Sequence, residues 1–231
     1  MLENKLHDLL KGNRDQFHPI IKVDGAQHKI VPFDFTENNK ELEKIDLQNI
    51  EEFSSYITDT LKNNHAKFGF GGYNELRFLY KRSSLFNDPD SEEPRSLHLG
   101  VDIWGDEGTE IFSPLDGTVH SYAFNNNYGD YGATIILSHC IDGSYFFTLY
   151  GHLSLADIQD IEEGDEINRG QNFAHFGNPS ENGHWPPHLH FQLINDISNY
   201  KGDYPGVCKM SEREKYLNNC PDPHFILNMA G

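Results

Sequence analysis

The chain has 231 residues, of which 37% are hydrophobic and 13% aromatic, enough apolar side chain to fill a core and to exclude a disordered chain. The formal net charge is −18 and is uneven: residues 1–90 carry 15 acidic against 12 basic side chains, and residues 91–231 carry 21 against 6. A field of that sign repels nucleic acid and anionic membrane surfaces while tolerating neutral or cationic substrates, although most of these charges serve an ordinary solvated surface.

Residues 1–12 read as a short amphipathic helix with Leu2, Leu6, Leu9 and Leu10 on one side and Gly12 as its stop. The N-terminus has no apolar signal-peptide core, and no run approaches 18 apolar residues. A cytoplasmic protein is therefore expected, with a periplasmic or secreted location as the alternative if a leader has been removed. Three cysteines, Cys140, Cys208 and Cys220, form no Cys-x-x-Cys pair and fit a reducing compartment.

Residues 17–36 hold short extended pieces broken by Asp24-Gly25 and Pro32. Residues 38–64 are the best helical stretch, with Leu42, Ile45, Leu47, Ile50, Phe53, Ile57 and Leu61 near helical spacing. The run Phe68-Gly69-Phe70-Gly71-Gly72-Tyr73 interrupts that pattern, either lining a site or forming a hairpin. The polar, turn-rich residues 87–94 mark a boundary between an α+β N-terminal extension, 1–90, and a second unit, 91–231. From residue 95 onward short β-like runs follow closely at 98–104, 110–112, 117–124, 133–138, 146–150, 172–176 and 188–194. Asp116-Gly117, Asp142-Gly143 and Glu163-Gly164-Asp165 punctuate them, so the fold class is mainly β, an antiparallel sheet or sandwich. The tail after 200 reads as irregular.

Three histidine-bearing segments carry the chemistry. In His98-Leu99-Gly100-Val101-Asp102, an imidazole and a carboxylate share one face of a strand but stand about 13 Å apart on an ideal one, too far for a common metal unless the chain bends at Gly100. In His188-Leu189-His190, two rings face the same way about 7 Å apart, so one can ligate a metal while the other acts beside it as acid or base. The segment Tyr150-Gly151-His152-Leu153-Ser154 follows an apolar run and ends at a turn, and its histidine read alone is more often structural than catalytic. Together the segments hold enough imidazole and carboxylate for a zinc site of three protein ligands plus water, with imidazoles to spare whose pKa suits proton transfer at pH 7.

These segments, in this order, resemble the lysostaphin/LytM-type zinc metallopeptidases, which are bacterial peptidoglycan endopeptidases. The stretch 108–119 resembles the family's connection between its first two segments, and Glu163-Gly164 to Gly170-Gln171 resembles its glycine-bounded hairpin. The resemblance covers about residues 95–195. It implies an antiparallel β core with Zn²⁺ in a groove, bound by His98, Asp102 and His190, and catalysis by His152 and His188. One of these two would take a proton from water and the other would hydrogen-bond the oxyanion or the departing amine, with the assignment open. The expected partner is a peptide, either a peptidoglycan stem or a cross-bridge. The family's tyrosine shortly before the first ligand is absent; Tyr73 and Tyr80 are substitutes from further away, and Arg95 either serves there or is an ordinary surface charge. His139 at the end of 135–139 either supports the site or simply ends a strand, His175 and His184 lie near the site in sequence, and Trp185 either meets substrate or packs. The acidic second half and the missing leader favour an alternative, an intracellular peptidase on a non-wall peptide. A further alternative is a catalytically silent zinc- or peptide-binding module, since some relatives in the family keep the zinc ligands but lose a catalytic histidine. Retention of both spare histidines favours an enzyme.

Overall fold

The structure, a computed structural model, describes residues 3–24, 29–86 and 93–227. Helix α1 (Glu3–Gly12) and strand β1 (Lys29–Phe33) precede helix α2 (Ile50–Asn63) and strand β2 (Ala66–Gly71). Strands β3 (Leu97–His98), β4 (Val101–Trp104), β5 (Glu110–Phe112), β6 (Gly117–Asn125), β7 (Gly132–Ile141) and β8 (Ser144–Leu153) follow. Then come β9 (Glu166–Ile167), β10 (Asn172–His175), β11 (His188–Ile194), β12 (Val207–Cys208), α3 (Arg213–Asn219) and α4 (His224–Leu227).

One large sheet runs β1-β2-β4-β11-β8-β7-β6-β9, antiparallel except for the β1·β2 pair; β5·β10 and β3·β12 are small antiparallel pairs. The expected mainly β, antiparallel core is therefore present. The tight β7–β8 hairpin turns on Asp142-Gly143, both at positive φ (50° and 75°), the backbone that a two-residue turn of this hand requires and that Asp-Gly supplies at low cost.

The helical expectation over 38–64 splits. Asp46 Oδ1 accepts from Gln48 N and Asn49 Oδ1 accepts from Glu51 N and Glu52 N. These local bonds stop the chain at 45–49 and restart it as α2, with Glu51 and Glu52 against the positive end of the helix dipole. Residues 68–73 form no hairpin. Phe68 to Gly71 run inside β2, between β1 and β4. The tail is more regular than expected, carrying β12, α3 and α4. Of the boundary at 87–94, residues 87–92 lie outside the described residues, as do Leu2 and Gly25.

Both faces of the sheet are covered, which explains why β11 is buried at every position. On one face Val101, Ile103, Leu189, Phe191 and Leu193 pack with Leu6 and Leu10 of α1 and Ile226 of α4. On the other face Trp104 packs with Phe33, Phe35 and Phe53, the last from α2. Each such large apolar side chain contributes about 1.5–3 kcal/mol by leaving water. This second face carries the site. The strands and helix of the first 90 residues thus belong to the same sheet and core as the rest of the chain.

Candidate metal centre

Strand register assembles the site. His190 stands opposite Asp102 and His188 opposite Trp104 across the β11·β4 pair, so all four side chains share one face. His98 reaches them because the chain breaks at Leu99-Gly100 between β3 and β4, which belong to different sheets. The break needs glycine: a Cβ on Gly100 would lie 2.6 Å from the Phe191 carbonyl oxygen and 2.7 Å from the His190 ring. The bend replaces the long ideal-strand separation with 3.4 Å between His98 Nε2 and Asp102 Oδ1.

Three ligand atoms converge. His98 Nε2 lies 3.0 Å from His190 Nδ1, and Asp102 Oδ1 lies 3.1 Å from His190 Nδ1. Ligands of a tetrahedral zinc ion stand about 3.3–3.6 Å apart, so the triangle is close to the right size. The tautomers fit as well. His98 Nδ1 donates to the Gly72 carbonyl at 2.9 Å, and His190 Nε2 donates to Gln192 Oε1 at 2.9 Å. The Gln192 amide is oriented by its own NH₂, which donates to Pro205 O and Cys220 Sγ. With those protons on Nδ1 of His98 and Nε2 of His190, the other ring nitrogens turn toward the Asp102 carboxylate, all three residues being buried. Three acceptors facing one another in a buried pocket repel unless a cation sits among them, so the residues fit a metal ion.

The Asp102 carboxyl is held well below its usual range. Burial alone would raise it, but the neighbouring His98 and the Arg77 guanidinium outweigh that. Its second oxygen, Oδ2, accepts from Arg77 Nη1, a buried contact from outside the histidine segments.

His152 and His188 stand beside the centre with ring centroids 4.1 Å apart, and both line the same cavity of about 290 Å³ as Asp102 and His190. His188 stacks on Trp104 at 3.9 Å and donates Nδ1–H to Pro186 O. His152 donates Nδ1–H to Asn182 O at 2.8 Å. Each ring thus keeps Nε2 as a proton acceptor. Gly151 is the partner of His190, so regular alternation would point His152 to the opposite face. A left-handed backbone at His152, φ 63°, re-aims it at a cost of about 1–3 kcal/mol.

Burial is the leading cause that lowers His98 and His188 to about 4, and His152 lies well below its ordinary value, by burial and then by His188 and His190. His139 is lowered to about 4 by burial as well. In each case the unfolded ring, near 6.5, binds a proton that the folded ring refuses, so stability is full above about pH 6.5 and drains as pH falls toward 4. The thermal midpoint of metal-free protein should fall steadily across that window; a flat profile would contradict neutral burial of these rings.

Other expected residues fall on both sides. His139 bonds Asp116 O and Thr148 and has no hydrogen bond to the centre, so its role is in the β7–β8 packing. His175 pairs with Asp157, and His184 lies against Tyr128. Neither lines the cavity. Trp185 and Arg95 do line it, as does Tyr80, whose hydroxyl accepts from Arg77 Nη1 at 3.3 Å. Tyr73 points elsewhere, donating to Cys220 O. Sequence reading missed Arg77 and Gln192, whereas Gly72 lies in the 68–73 run read as lining a site or forming a hairpin, and its carbonyl accepts from His98 Nδ1. Of the two missed, only Gln192 carried a signal, being two residues past His190 on the same strand face.

Residues 96–202 match Peptidase family M23. Over 129 residues the chain is 33% identical to an uncharacterized metalloprotease of Haemophilus influenzae, covering 54% of this chain and 25% of the relative. The chain thus spans about a quarter of the length of the curated relative it matches. A zinc-containing peptidase from Vibrio cholerae is similar at 26% identity over 46% of this chain and 29% of that one, with a TM-score of 0.34. The catalytic domain of the antimicrobial peptidase lysostaphin from Staphylococcus simulans is similar at 28% identity over 52% and 80% of the two chains, with a TM-score of 0.36.

Proposed function

We propose, from the match of residues 96–202 to Peptidase family M23, that the chain is a zinc endopeptidase cleaving amide bonds in peptidoglycan-type peptides. The observation that carries the reading is a convergent His98, Asp102 and His190 triangle whose Asp102 and His190 line one cavity together with two neutral imidazoles, those of His152 and His188. Bound zinc would polarise the scissile carbonyl and acidify a water molecule.

The chain's own residues supply the rest. Burial keeps His152 and His188 neutral, so either accepts the proton released as water adds to the carbonyl carbon. The resulting imidazolium, the one of the two rings then carrying an Nε2–H, returns that proton to the amine nitrogen as the carbon–nitrogen bond breaks. The other ring, its Nδ1–H held by a backbone carbonyl, offers Nε2 as an acceptor that orients the water. Stacking on Trp104 holds the His188 ring in plane, and the bond to Asn182 O holds His152. Trp185 walls the cavity beside them, its indole N–H fixed to Asp130 O.

A second reading, a non-wall peptide as substrate, is favoured by the excess of 21 acidic over 6 basic residues in 91–231, a poor match to anionic wall polymers. Zinc-loaded protein incubated with defined muropeptides, its products followed by mass, tests both. Fragments differing by one hydrolysed amide are expected. No cleavage of any muropeptide, with cleavage of unrelated peptides, would replace the wall substrate by the second reading.

A further inference from the structure

The residues that hold the three ligand side chains in place are not all within the matched family segment. His190 is braced by Gln192 from its own strand. The other two ligands are braced from residues 72–77, which precede residue 96. Gly72 O accepts from His98 Nδ1, and Arg77 Nη1 donates to Asp102 Oδ2.

That segment is itself pinned to the strand bearing His98. Asn74 N donates to His98 O, His98 N to Glu75 O and Arg77 N to Ser96 O, each at 2.9 Å. The Arg77 guanidinium is buried, with Nε donating to Glu75 Oε2 at 2.7 Å and Nη1 also reaching Tyr80. Glycine at 71 makes the room, because a Cβ there would lie 2.8 Å from Arg77 Nη2.

We propose that Arg77 is a positioning residue for the metal, one that holds Asp102 as a one-oxygen ligand; the proposal rests on the metal-centre reading above. A carboxylate offers two oxygens, and an ion beside it draws on both unless one is engaged. Here Oδ1 faces the two imidazole nitrogens while Oδ2 is taken by a fixed cation. A planar guanidinium does this while gripping Glu75 at the same time; a lysine ammonium has no such fork. The arrangement makes the region before residue 96 part of the metal centre.

The test compares the metal-free full chain with Arg77→Met and Arg77→Lys. Zinc affinity is read by competition with a chelator, and the visible spectrum of cobalt(II)-loaded protein reports ligand number and geometry. Arg77→Met should weaken zinc binding about 10–100-fold and shift the cobalt bands as the freed oxygen joins the ion. Arg77→Lys, which keeps the charge and stands in if the methionine variant fails to fold, should still weaken binding about 10-fold and shift the same bands. Wild-type affinity and an unchanged cobalt spectrum in a folded Arg77 variant would overturn the proposal alone. Failure of the wild-type chain to bind zinc would overturn the metal-centre reading and the proposal with it.

Discussion

A His190→Ala variant is expected to bind zinc more than about 100-fold more weakly than wild type, with peptide hydrolysis falling to background. The figure is a lower bound, because loss of a residue that only braces a ligand already costs about 10–100-fold. Removing the imidazole leaves His98 and Asp102, two ligands where a catalytic ion uses three. It also strips Asp102 Oδ1 of its neighbour at 3.1 Å and leaves Gln192 Oε1 without its ring N–H donor. Metal content after dialysis and the rate of product formation are the two measurements. Stoichiometric zinc in the variant would remove His190 from the ligand set. His190→Gln should behave similarly, since an amide is a poorer zinc ligand than imidazole.

The second large effect separates chemistry from metal binding. His188→Ala is expected to lose about 10²–10⁴ in turnover while keeping one zinc per chain. None of its described hydrogen bonds runs to His98, Asp102 or His190; its ring lies on Trp104 and its Nδ1–H on Pro186 O. His152→Ala should show the same split, because its ring is tied to Asn182 O. Full activity in the double variant would refute catalysis by either histidine, and loss of zinc in His188→Ala would refute the division of labour. The two single variants, compared across pH, also assign which ring receives the proton first.

Several features were legible in the residues because their causes are local. Short β-like runs at 110–112 and 188–194 placed β5 and β11 at their observed ends, since burial on a sheet imposes alternation or continuous apolarity over a few residues. Asp142-Gly143 announced its hairpin because few other pairs tolerate two positive φ values. Gly100 marked the bend that brings His98 to Asp102, although only the close approach of Phe191 and His190 explains why no side chain is allowed there.

Other features had no local cause. The helix expected over 38–64 broke at Asn49 because a side-chain cap competes with apolar periodicity, and the cap wins where two backbone donors are satisfied at once. His152 faces the centre only through a left-handed residue that strand alternation does not foresee.

By itself, the sequence pointed to five side chains, His98, Asp102, His152, His188 and His190, through the ordered resemblance of their segments to a known family, while ideal strand spacing left His98 and Asp102 too far apart to share a metal. What the tertiary structure alone decided is how they are held. The Gly72 carbonyl and the Arg77 guanidinium come from a segment pinned by backbone bonds to Ser96 and His98, a long-range contact with no periodic signature. Ligand identity follows from side-chain chemistry, which a sequence displays. Ligand orientation follows from hydrogen bonds between distant strands, which only the folded chain brings within 3 Å.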